Sequence, residues 1–421
     1  MSIVPDVKCV LGQPVAVQWA AMLGFERALT DRFRDLGATG FTSADERAEW
    51  SAKMAILSGG RNSIIWVGDG GSTEKFFPSI YVRRIARQKS HYISGASSIL
   101  PHAAFIVDST NIPYYWAGKY PGCSVTSNAK RLVLSLCWVD SLVDPFTGAT
   151  VYPTHDTAVS YCQNNGTGHH AFSNPEWAEV ALDCIKQGYQ PKGNNYRGRD
   201  YSDPDSAEYR GVPCSWDGSG ICRCLNGSGP LSWFHDGTPW GIWGMNGNIY
   251  QWTPGFRQKS GEIQVIANND TVLAATDQTV DSTAWQAILQ DNSLVASGTA
   301  DTLKFDVTSG ITIDTSITTR TTASQSAQFD DVAPGSGVTI PDMLKELCIA
   351  PETVGGNLHE GDNMYIRNDL EGSYSETLPR RGGSWYYGSI SGVFDVNLDY
   401  YRSNSYINLG VRPAFVDPEF L

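Results

Sequence analysis

Between Arg380 and Phe415 the chain concentrates side chains suited to contacting another molecule. They are Tyr386, Tyr387, Ile390, Asp395, Asn397, Asp399, Tyr400, Tyr401, Tyr406, Ile407 and Asn408. Tyrosine presents a large rigid face at small entropic cost, and Ser and Asn supply adaptable hydrogen bonds. Acid–base, nucleophilic or metal chemistry needs convergent titratable groups, whereas residues 380–415 contain no His, Cys, Lys or Glu. The chemistry expected here is recognition, with these residues as the ligand-binding positions. They are interleaved with a stiffer set. Gly382 and Gly383 suit tight backbone geometry, Trp385 and Trp252 suit a core, and Arg381, Arg402 and Arg412 suit hydrogen-bond forks to carbonyls or carboxylates.

Other candidates for chemistry are weaker. His169 and His170 adjoin, and strand neighbours point to opposite faces, so one metal would rarely use both. His235 beside Asp236 reads as a polar contact within the scaffold. Cys214, Cys222 and Cys224 lack paired CxxC spacing and a matching histidine motif. Asp200, Asp203 and Asp205 read as a solvated turn, with Ca²⁺ binding the alternative. Neither GxSxG, HExxH nor a P-loop occurs. No catalytic residue, metal or cofactor is therefore assigned.

The elements that must position the C-terminal stretch can be sketched from pattern. Val17, Ala20, Ala21, Leu23, Phe25, Leu29 and Phe33 recur near helical spacing. Ser43 with Asp45 and Glu46 opens a second helix that reaches about Leu57 before Gly59-Gly60. Residues 1–70 thus read as a small helical module that packs on the main domain, a partner subunit or a larger particle. Short apolar runs at 80–84, 103–107, 114–116 and 132–136 read as strands. Asn174–Lys186 reads as a helix capped by Ser173 or Asn174, with Gly188 beyond its end. Residues 258–345, rich in Thr, Ser, Asp and Val, read as a β-rich insertion, a spacer or lateral contact. The remainder, 77–257 with 346–421, reads as one ligand-binding domain.

Composition narrows the class of partner. The 421 residues are 41% hydrophobic and 18% charged, typical of a globular chain. A net charge of −13 argues against nucleic acid, whose phosphates demand Lys and Arg, and against an anionic membrane surface. No apolar run reaches the ~18–20 residues of a membrane span. The first residues lack a charged and then apolar leader, so no signal peptide is expected, and export by assembly into a particle is the expected route. The 9 cysteines form no obvious framework; they read as structural or free thiols, with one or two disulfides the alternative.

Three motifs carry a family resemblance. Arg381-Gly-Gly-Ser-Trp385, Arg402 and Gly410-Val-Arg412-Pro413 resemble the RGGSW…R…GFRP ending of the formylglycine-generating-enzyme (sulfatase-modifying-factor) branch of the C-type lectin fold. Trp243–Trp252 resembles the family's GNVWEW strand. Ser173–Ala178 with Gln190–Asn195 resembles the SNAEWA…PRGNN stretch of phage-borne members. The likeness covers roughly 77–421, less the insertion. The interleaved C-terminus further resembles the variable proteins of diversity-generating retroelements, which randomise template adenines. Asn codons treated so never yield Trp, Met, Lys, Gln or Glu, and residues 386–415 contain none of those.

The resemblance implies an α+β chain of C-type lectin fold with a diversified C-terminal patch. The implied role is receptor recognition at a viral tail-fibre tip, with a host cell-surface protein or glycan as partner and a homotrimer as the assembly. A cell-surface bacterial variable protein is the alternative. A metal oxidase is a third reading. The family's copper enzymes use a cysteine pair near the C-terminal block, and here no cysteine follows Cys348.

Overall fold

The computed structural model describes residues 4–203, 211–307, 310–318, 325–356, 361–367, 370 and 372–421. Helices and sheets are mixed in an α+β arrangement. Helix α1, Val15–Leu36, buries Met22, Phe25, Glu26, Leu29, Thr30 and Phe33. Val15 and Val17 are exposed, so the packed stripe begins one turn later than the apolar spacing suggests. Helix α2, Ala44–Ser58, starts where Ser43 accepts a hydrogen bond from the Glu46 amide and stops at left-handed Gly59.

These helices share one core with distant parts of the chain. Phe25, Leu29, Phe33 and Trp50 pack in a cluster with Val125, Leu132, Trp233 and Trp243. Glu26 explains why a carboxylate tolerates that core: it pairs with the buried Lys119 Nζ at 2.7 Å and accepts from the Tyr120 hydroxyl at 2.5 Å. Strand Asn62–Gly68, at the end of the expected helical module, pairs along its whole length with Phe76–Ile85.

Two large sheets carry most of the rest, beside three two-stranded ribbons among the described residues. A five-stranded sheet runs Asn62–Gly68, Phe76–Ile85, Tyr114–Gly118, Pro413–Phe415, His169–Ala171. The larger sheet has 13 strands among the described residues. In it Glu376–Arg381 lies antiparallel to Tyr250–Trp252, to Val396–Tyr400 and to Phe256–Lys259. The 258–345 segment continues this sheet: Phe256–Lys259 pairs with Glu262–Ile266, which pairs with Trp285–Ile288 and with Lys304–Val307.

The last forty-odd residues therefore join both sheets. Arg412 marks the crossing. Fully buried, it donates to Gln251 Oε1 at 3.0 Å, Gly118 O at 2.8 Å and Trp243 O at 2.8 Å. Burial pulls its pKa down, to about 9, yet the carbonyl fork keeps a guanidinium the better guest at neutral pH.

Candidate functional site

The base of the site is built by the helix Asn174–Lys186. Ser173 and Glu176 form a full capping box at its start. Its Asn174 Oδ1 accepts from Arg381 Nε at 2.9 Å, and Arg381 also donates to Cys348 O at 2.9 Å. Trp177 donates its indole N–H to Val393 O at 2.7 Å. Gly383, at φ 77°, lies so close to the next loop that a Cβ there would sit 2.0 Å from Ser391 Oγ. Trp385 and Trp252 are buried. The interleaved scaffold residues thus hold the stretch from beneath.

Arg380, on the strand between these supports, is the hub of the surface above. Its register shifts beside Leu378, so that Arg380 faces Asn397. The guanidinium is sandwiched between the rings of Tyr250 at 4.0 Å and Tyr400 at 3.8 Å. It forks onto Asp399 through Nε at 3.1 Å and Nη2 at 2.9 Å. Burial alone would lower the Arg380 pKa, but Asp399 and the tyrosine hydroxyls outweigh it and raise it.

An aromatic arc extends from this hub. Tyr387 meets Tyr250 edge-on at 5.3 Å and stacks on Tyr386 at 4.5 Å. On the other side Tyr400 packs against Tyr406 at 5.1 Å. Burial pushes the Tyr400 hydroxyl up to about 12, so it stays a neutral donor. Tyr386, Ile390, Tyr406 and Ile407 are 46%, 39%, 50% and 49% exposed, while Tyr387, Asp399, Tyr400 and Tyr401 are half-buried.

Three expected contact residues lie underneath instead. Asp395, Asn397 and Asn408 are 1%, 5% and 5% exposed. Asp395 and Asn397 lie beside the Tyr250 hydroxyl. Burial and the nearby Asp362 hold the Asp395 carboxyl well above the usual carboxylate range. Asn408 Nδ2 lies 3.4 Å from the Tyr386 hydroxyl. Strand alternation explains the correction for Asp395 and Asn397: they share with Asp399 the face that meets Arg380. Sequence reasoning passed over Tyr250 and Arg380. The Arg380-Arg381 doublet was the available signal, since strand neighbours must serve opposite faces.

Behind the arc, Arg402 donates to Glu376 at 3.0 and 2.8 Å and to Asp156 at 2.6 Å, anchoring the loop that carries Tyr401, Tyr406 and Ile407. Arg257 shares Glu376 at 2.6 Å.

The remaining chemical candidates have structural partners. His169 packs on Phe415, and His170 faces Glu176 at 2.9 Å. His235 accepts from the Ile242 amide at 2.8 Å and lies 3.0 Å from Arg84. All 9 cysteines are free thiols, and burial pushes Cys222 up to about 11. Asp200 accepts four donors, from Gly193, Asn195 and, twice, Ser202, and Asp203 pairs with Lys192. Asp205 lies outside the described residues. Among the described residues no group of three His, Cys, Asp or Glu is placed to hold a metal, and no helix is long and apolar enough to cross a membrane.

No protein-family model and no curated protein sequence matches the chain. Among solved structures it is similar to Treponema denticola variable protein 1, at 12% identity over 84% of this chain and 98% of that one, with a TM-score of 0.30. It is also similar to the Major Tropism Determinant U1 variant, at 11% identity over 84% and 71% of the two chains, with a TM-score of 0.27. Overlaps this loose carry no argument.

Proposed function

We propose that the chain is a variable ligand-binding protein with a C-type lectin fold of the formylglycine-generating-enzyme type. Residues within 386–408 are diversified by a retroelement and recognise a host surface molecule from the tip of a viral tail fibre. It acts by binding, without catalysis, cofactor or metal. A homotrimer would multiply modest single-site affinity.

One observation supports this most. Tyr386, Tyr387, Tyr400 and Tyr406 are gathered around Arg380 by residues outside the diversified set: Tyr250, Trp252, Gly383, Trp385 and Arg412. The scaffold and the exposed palette are separable, which a diversifying protein requires. The test is deep sequencing of the gene's 3′ end across a source population, with a search nearby for a template repeat. Substitutions confined to codons 386–408 and to template adenines are the expected result. An invariant end with no repeat would remove the retroelement reading.

A further inference from the structure

Two segments far from the C-terminus are bonded to the loops that carry the tyrosine arc. The Asn195 carbonyl accepts from the Gly388 amide at 2.9 Å, and the Arg197 amide donates to Trp385 O at 2.6 Å. Arg223 donates to the Ile407 carbonyl at 2.9 Å and is clamped by Asp140 at 2.9 and 3.0 Å. Arg197 reaches Asp217 at 2.9 Å, which ties the first segment to the hairpin of Trp216–Asp217 with Gly220–Ile221. The first segment is thus bonded to the turn bearing Tyr386 and Ile390, and the second to the loop bearing Tyr406 and Ile407.

Aromatic rings stand on this fixed ground. Tyr196, Tyr201 and Trp216 are 48%, 42% and 65% exposed. A tryptophan left this open on a braced hairpin forgoes burial that would otherwise fix it, and Trp and Tyr are the residues that dominate binding hot spots.

We infer that Tyr196, Tyr201 and Trp216 form a constant shoulder of the recognition surface, which receives a protein partner whatever the diversified residues are. This rests on the proposed recognition role of 386–408. A protein fits better than a sugar, because the carboxylates and amides that would fix a sugar's hydroxyls are tied up. Asp399 is held by Arg380 and Asp217 by Arg197, while Asn397 and Asn408 are buried. What faces outward is Tyr, Trp and Ile with Ser389, Ser403 and Ser405 between them, the mixture of rigid rings and small hydroxyls that protein-binding surfaces use. The net charge of −13 favours a partner with a basic face through long-range attraction.

The test displays the full chain with codons 386, 390, 406 and 407 randomised and selects binders to hen egg-white lysozyme, a basic protein probe, with yeast mannan in parallel. Trp216→Ala and Tyr196→Ala are then placed in independent lysozyme-binding clones, with melting temperatures measured alongside. The expected result is binding weakened at least about tenfold by Trp216→Ala in most clones, with unchanged melting. Unchanged affinity for both variants would overturn the shoulder and leave the recognition role intact. A library that yields no binder to either probe would overturn the recognition role itself and the shoulder with it. Binders to mannan that need Trp216, beside lysozyme binders that do not, would overturn the assignment to a protein partner.

Discussion

At the scale of single residues, the site has two layers with opposite mutational signatures. Tyr386, Tyr406 and Ile407 are open to solvent, so replacing all three with Ala should leave the melting temperature nearly unchanged while abolishing ligand binding. A cooperative loss of folding would mean that they are core residues. Arg380 is the reverse case. Arg380→Ala strands a half-buried Asp399 and opens the space between Tyr250 and Tyr400. Removing one partner of a buried pair costs about 3–5 kcal/mol, which urea unfolding will read. Asp395 carries a pH signature. Its folded pKa is raised, so folding is favoured below the unfolded carboxylate value and stability falls as pH rises from there towards the folded pKa. Asp395→Asn should therefore stabilise the protein at pH 7, by on the order of 1 kcal/mol, and flatten that decline. A less stable Asn variant at pH 7 would show that the carboxylate is instead well solvated by its neighbours.

Elements place these residues, and their ends are where local rules dominate. Ser173 caps the helix whose Asn174 and Trp177 support Arg381 and Val393. Ser173→Ala should cost about 1 kcal/mol, measured by chemical denaturation, and should loosen the turn above it. The loop bearing Tyr406 hangs on Arg402 and Glu376. Burial alone would raise the Glu376 pKa, but Arg402 and Arg257 outweigh it and hold it lowered. Its stabilisation is present above the unfolded carboxylate pKa and is lost as pH falls through the folded one. Glu376→Gln should then lower stability at pH 7 and weaken the acid-side dependence. The cap and the two helices were legible from sequence because a hydroxyl followed by an acid three residues on, or a glycine after an apolar stripe, acts within one turn of chain. The start of the buried stripe in α1 was not, because Val17 and Met22 differ only in what lies across from them.

Taken whole, the molecule makes the C-terminal segment its keystone. Pro413–Phe415 is an inner strand of the smaller sheet, while Glu376–Arg381 and Val396–Tyr400 sit within the larger. Arg412→Met should consequently disrupt folding as a whole, since it leaves the Gly118 and Trp243 carbonyls without their buried donor. Loss of far-UV and near-UV circular dichroism together would register this. Composition and motif determined the cluster of Tyr, Ile, Asn and Asp, the rigid residues interleaved with it and the resemblance that implied an α+β class, because residue type and motif are local properties of a chain. Only tertiary structure decided which palette residues reach the surface. Asp395 and Asn397 turn inward because the register of Val396–Tyr400 against Arg380 is set by packing between strands, and the hairpin of Trp216 is brought near that stretch by Arg197 and Arg223, which bind Trp385 and Ile407. Exposure belongs to a pairing of surfaces, and no stretch of sequence carries both of them.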